Sequence, residues 1–203
     1  MLKLLIIGDS HCKSDILSHL KQIVPDILIF CISVGGQIDE ITQRYSDRYD
    51  AIVDFDPTAI IIHLGHNDLT FHHTHNKDPS TSKIVTVDTL EFTMDVVRNI
   101  PSTPLAISSV LPRTFTDSSL LSECDVQAYN RKAKRHGQRL VTEGKKIHTP
   151  IILNNRFGKR ISRAEEHSNL YLPDGLHLNT EGLDALATSW IEGLAGPRSY
   201  TLV

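Results

Sequence analysis

Short apolar runs alternate along this chain with segments of helical periodicity. Leu2 to Ile7 is apolar apart from Lys3 and stops at Gly8, which predicts a strand buried on both faces. Ser14 to Val24 places Ile16, Leu17, Leu20, Ile23 and Val24 at helical spacing, and Pro25 ends the segment. The same pattern predicts strands over Ile27 to Val34, Ala59 to Leu64, Pro104 to Val110 and Ile147 to Leu153. It predicts helices over Ile38 to Tyr49, Thr89 to Ile100, 119–143 and Thr180 to Leu194. Five strands alternating with helices specify an α/β domain, with a five-stranded parallel sheet covered by helices on both faces. No repeat or linker divides it, so residues 1–195 are expected to form one domain and 196–203 a loose tail. Two connections are long for such a domain, His66 to Lys83 and Asn154 to Leu172.

Composition narrows the class. The 203 residues are 40% hydrophobic and 22% charged, with 9 Pro and 11 Gly, which excludes collagen, low complexity and general disorder. The longest apolar runs fall far short of the roughly 20 residues that span a bilayer. No Ala-x-Ala-like site follows the first apolar run, so no signal peptide is expected. Cys12, Cys31 and Cys124 are odd in number and have no metal-like spacing, which points to a reduced, cytoplasmic setting. A net charge of -3 makes the domain as a whole a poor polyanion binder.

Ligands of open α/β sheets sit beyond the carboxyl ends of the strands. Gly8-Asp9-Ser10 follows the first strand, Gly35-Gly36 the second and Gly65-His66-Asn67-Asp68 the third, while Asp174-Gly175-Leu176-His177 precedes the last helix. Acyl transfer needs a nucleophile, a base, a group that orients the base, and donors for an oxyanion. Ser10 is the candidate nucleophile and His177 the base. Asp174 is three residues away, where it can hold the imidazole. The Ser10 and Gly36 amides and the Asn67 side chain are candidate oxyanion donors. Each group alone reads as a turn. Their joint occurrence in order, the first three at successive strand ends, is what points to chemistry.

The four groups resemble the blocks of the SGNH, or GDSL, hydrolase superfamily over residues 2 to about 194. The resemblance implies a flavodoxin-like three-layer α/β/α sandwich and ester hydrolysis without a metal or cofactor. It carries over Ser10, Asp174 and His177 as the triad, and Ser10, Gly36 and Asn67 as the oxyanion hole. The substrate would be an acetyl or short acyl ester of a lipid or small molecule. One departure is His11, where the family has an apolar residue, which affects the acyl-pocket wall. Ser108 to Arg113 and Tyr129-Asn130 also look like the esterase domains of LINE-type retrotransposons of the CR1 and L2 clades. That would make this chain part of a longer polypeptide, with RNA contacts confined to other domains.

Other features have competing readings. His63, His66, His72, His73 and His75 suggest a zinc site, or a polar segment beside the active site; the proposed chemistry requires no metal. His11, His66 and Arg113 are candidate substrate contacts. Arg131, Lys132, Lys134, Arg135 and Arg139 suggest a phosphate or acidic-membrane patch, or the solvated face of a helix whose Val126, Tyr129, Ala133 and Leu140 face inward. Cys12 reads as a buried apolar thiol, Asp9 as an acceptor of local amides, and Trp190 as core. Two other functions compete: a weak or inactive member of the fold that binds lipid, membrane or a ribonucleoprotein partner, and a flavodoxin-like nucleotide binder. The second lacks a phosphate-cradling Gly-rich loop.

Overall fold

The structure, a computed structural model, describes residues 1–12, 14–70, 81–111, 123–142, 151–152 and 165–195. Arg113, His72, His73, His75 and the expected tail lie outside them. A run of apolar residues needs cover on both sides, and β1 (Lys3–Gly8) finds it. Leu4 and Ile6 join one core, while Leu5 and Ile7 join the other. The strands β2 (Leu28–Ser33), β3 (Ala59–His63), β4 (Leu105–Ser108) and β5 (Ile151–Ile152) complete a parallel sheet of order β2-β1-β3-β4-β5. This is the flavodoxin-like order, and its direction reverses between β1 and β3. Gly8 pairs with both Ser33 and His63, so the three strands finish level at that switch point.

Helices cover both faces, giving the expected three layers. On one face α1 (Ser14–Ile23) and α6 (Thr180–Ala195) supply Ile16, Leu20, Leu186, Ala187 and Trp190. On the other, α2 (Ile38–Asp47), α3 (Tyr49–Phe55) and α4 (Thr81–Asn99) supply Ile41, Tyr45, Ile52, Phe92 and Val96. The remaining helix, α5 (Glu123–Thr142), packs against α4. Among the described residues no helix is long and apolar enough to cross a membrane.

Three expectations need revision. The single helix over 38–49 is two, broken at Arg48 (φ -110°, ψ 6°). Ile38, Ile41, Tyr45 and Ile52 bury one continuous stripe across the break, so the hydrophobic period does not reveal it. The second helix ends on Asp56 in the left-handed region (φ 51°), just before Pro57. The expected loop from 66 to 83 holds helical residues 66–70 and the first turn of α4. Near the other end of the long 154–172 connection, Glu165–Leu170 is a 3-10 helix.

The basic helix follows its bland reading where it is described. Val126, Tyr129 and Ala133 are buried, and Arg131, Lys134 and Arg135 are exposed. The motif residues after β4 also serve the fold. Asn130 donates to the Val110 carbonyl (3.0 Å) and accepts from its amide (2.9 Å). The buried Tyr129 hydroxyl donates to the Leu64 carbonyl (2.9 Å), beside Gly65 at φ +106°. A β-carbon at Gly65 would sit 2.8 Å from the Tyr129 ring, and its backbone conformation is strained for any other residue. Gly65→Ala is therefore expected to cost about 1–3 kcal/mol of stability in urea titrations; an unchanged midpoint would refute this account of the turn.

Candidate active site

The turn after β1 is tight because Gly8 has no side chain. A β-carbon there would collide with Cys12 Sγ and lie 2.9 Å from the His63 carbonyl oxygen. Ser10 opens a 3-10 helix, Ser10–Cys12, and is half-buried at the end of the sheet. Neighbouring groups fix the turn. The Asp9 amide donates to the His63 carbonyl (3.2 Å), the Cys12 amide to the Asp9 carbonyl (3.0 Å), and the Ser33 hydroxyl to that same carbonyl (2.7 Å). The Ser10 and Gly36 amides take part in no hydrogen bond among the described residues. The Glu40 carboxylate fills the space where a Gly36 side chain would lie.

The turn after β3 is bound to the turn after β2. Asn67 Nδ2 donates to the carbonyls of Gly35 (3.1 Å) and Gly36 (3.0 Å). The buried Asp68 carboxylate accepts the Ile38 amide (2.9 Å) and so caps α2.

The last turn is organised by one carboxylate. Asp174 Oδ1 accepts the amides of Leu176 and His177, each at 2.9 Å. Asp174 Oδ2 accepts from His177 Nδ1 at 2.7 Å. Partial burial pushes the Asp174 carboxyl upward, but the His177 ring and these two amides outweigh it and bring it down to about 2. Gly175 at φ +62° makes the turn possible. Asn179 Oδ1 caps α6 through the Gly182 amide (3.0 Å), and its Nδ2 donates to the Asn169 carbonyl (2.6 Å), anchoring the segment from below.

His11 joins this turn to the first. Its Nε2 lies 3.2 Å from the Leu176 carbonyl oxygen and its Nδ1 lies 3.0 Å from Asp9 Oδ1, which also accepts the His11 amide (3.0 Å). Residues 10 and 177 are thus each one position from the same contact. No hydrogen bond links the Ser10 hydroxyl to the His177 ring in this structure, and such contacts often tighten only with substrate.

Sequence reasoning missed the buried polar cluster beneath. Asp9, His11, His63 and His66 are all buried. The His11 ring centroid lies 5.6 Å from both His63 and His66 and 6.2 Å from His177. Burial works against the Asp9 charge, but His11, His63 and His66 outweigh it and hold the carboxyl well below the usual carboxylate range. Trp190 Nε1 donates to Ser108 Oγ (2.8 Å), which is 2.8 Å from His63 Nδ1. His11 is therefore walled in, with its ring between the two turns, rather than simply lining a pocket. Asp9, His11 and His66 are close enough to share an ion, although both His11 nitrogens already have protein partners. Cys12 follows its bland reading, since burial, with Asp9 beside it, holds the thiol well above its ordinary range.

Neither family models nor curated proteins match the chain. Solved structures do. The lipase/acylhydrolase from Enterococcus faecalis superposes with a TM-score of 0.71 at 12% identity, over 94% of each chain. The acetyl xylan esterase AlAXEase gives 0.69 at 12% identity, over 94% of this chain and 98% of that one. A GDSL-like lipase from Parabacteroides merdae gives 0.64 at 15% identity, over 95% and 94%. The chain therefore has the α/β fold of the GDSL-type hydrolases.

Burial is the largest influence on His63 and draws its imidazole down to about 4, against the opposing pull of Asp9. The folded protein keeps His63 neutral while the unfolded chain binds a proton below about pH 6.5. Stability should fall as pH drops from about 6.5 to about 4. Urea melts across that window should show the loss, and His63→Gln should flatten it; an unchanged slope in the variant would contradict this assignment.

Proposed function

We propose that this protein is a serine ester hydrolase of the SGNH type. The observation that supports it most is how Asp174 divides its two oxygens. One holds the turn through two amides, and the other takes the Nδ1 hydrogen of His177. His177 Nε2 is then left with the lone pair that a general base needs. The contact between His11 and Leu176 brings this turn against the Ser10 turn.

In this reading, Ser10 Oγ attacks the ester carbonyl as its proton passes to His177 Nε2. The oxyanion is held by the amides of Ser10 and Gly36, which are unengaged among the described residues, and by Asn67. Asn67 Nδ2 donates to the adjacent carbonyls of Gly35 and Gly36, so it serves the oxyanion by exchanging one of these contacts for the substrate. Collapse of the tetrahedral intermediate expels the alcohol, which takes the proton from His177. A water activated by the same imidazole then releases the acid from the acyl-enzyme. The lipases and esterase that share the fold support an acyl-ester substrate, and we infer an acetyl or short acyl ester of a lipid or small molecule, turned over in the cytoplasm. Ser108, Tyr129 and Asn130, three of the residues that carried the LINE-type resemblance, have structural partners and add no support for that origin.

Turnover of p-nitrophenyl acetate tests this. Ser10→Ala and His177→Ala should each lower kcat/KM at least about a thousandfold, and Asn67→Ala about a hundred- to a thousandfold. The acid limb of the profile should carry one proton, because Asp174 stays ionised until pH approaches about 2. A wild-type protein no faster than Ser10→Ala would instead indicate a binding module built on this fold.

A further inference from the structure

His11 occupies a position where both of its ring nitrogens face groups that can only accept. Asp9 Oδ1 is 3.0 Å from Nδ1, and the Leu176 carbonyl oxygen is 3.2 Å from Nε2. A neutral imidazole donates from one nitrogen and carries a lone pair on the other. Either neutral tautomer would therefore aim a lone pair at an oxygen, whereas an imidazolium satisfies both contacts. The carboxylate also calls for a counter-charge. Asp9 is 2% exposed, and its Oδ2 is buried without a hydrogen-bond partner among the described residues. A buried carboxylate so poorly satisfied is costly unless a cation stands against it. His63 does not fill that role: its Nε2 is 4.0 Å from Asp9 Oδ1, and its ring is held neutral.

We propose that His11 is a positioning residue: a buried imidazolium that clamps the turn bearing His177 onto the turn bearing Ser10 by donating to Asp9 and to the Leu176 carbonyl. This inference rests on the serine-hydrolase reading and deepens it. The nucleophile and the base come from opposite ends of the chain, and the clamp is one residue from each. A misplacement of about 1 Å between reacting groups can cost about a hundredfold in rate. Deprotonation of His11 removes a donor from one of its two acceptors and releases the clamp. The groups facing His11 are Asp9 on its own turn, His63 at the end of β3, His66 on the next turn and His177 on the last, with Cys12 beside it.

Two measurements test the clamp. The first is kinetic. In wild-type protein kcat/KM should fall on the alkaline side as His11 loses its proton. In His11→Gln kcat should be about ten- to a hundredfold lower, KM should stay within about threefold, and the alkaline fall should disappear. A variant that is slower but keeps the wild-type alkaline limb would reduce His11 to a packing role and overturn the clamp. The second measurement needs no activity. Long-range proton–nitrogen NMR on Ser10→Ala at pH 7 should show both His11 ring nitrogens carrying hydrogen. A neutral His11 ring, or a zinc ion retained on Asp9 and His11 in the purified protein, would overturn it. If wild-type protein and Ser10→Ala hydrolyse esters equally slowly while His11 is doubly protonated, the hydrolase reading fails but the buried ion pair stands.

Discussion

A carboxylate buried at the carboxyl end of the first strand sets the rest of this site in place. Asp9 cannot reach water, so its charge must be met by donors that the chain brings to it. The His11 amide and ring provide them, while the His63 ring at the end of β3 stands further off, its Nε2 4.0 Å from the carboxylate. Placing those donors requires β1 and β3 to end level, the glycine at position 8 to let the chain fold over itself, and the final turn to lie against His11. The nucleophile and base candidates then share one edge of the sheet because the carboxylate between them has to be satisfied.

The final turn obeys a similar logic at the surface. Asp174 and His177 are half-exposed, so their hydrogen bond owes more to geometry than to burial. Two backbone amides and one side chain converge on a single carboxylate and fix its orientation. Proteins about 12–15% identical to this one keep the same fold, since it asks only for the hydrophobic pattern and the level strand ends, not for particular side chains elsewhere.

Much of this was legible in the sequence. Strands buried on both faces leave continuous apolar runs, and residues 2–7 and 59–64 mark β1 and β3 to within a residue or so. The strand-end groups around Ser10, Gly36 and Asn67 followed from where open sheets hold ligands, and the Asp174–His177 pair from its three-residue spacing before the last helix. The break at Arg48 was hidden because both helices bury the same stripe. The buried cluster was harder to foresee. His63 stands inside an otherwise apolar run, Ile60-Ile61-Ile62-His63-Leu64, and a polar residue there signals a buried hydrogen-bonded partner. That signal was present, but its partner Ser108 lies 45 residues further along, and Ser108 in turn binds Trp190 a further 82 residues on; periodicity says nothing about such pairings. His11 reads from the sequence as pocket wall because its second partner, the Leu176 carbonyl, is a backbone atom 165 residues away.

Ester hydrolysis at this site requires the Ser10 oxygen to be activated by the His177 imidazole. Intact-mass measurement after brief exposure to an alkyl fluorophosphonate, followed by peptide mapping, tests this most directly. One adduct, located on Ser10 and formed far more slowly in His177→Ala, is the predicted result. An unlabelled protein, or an adduct on Ser10 that forms equally fast without His177, would contradict it.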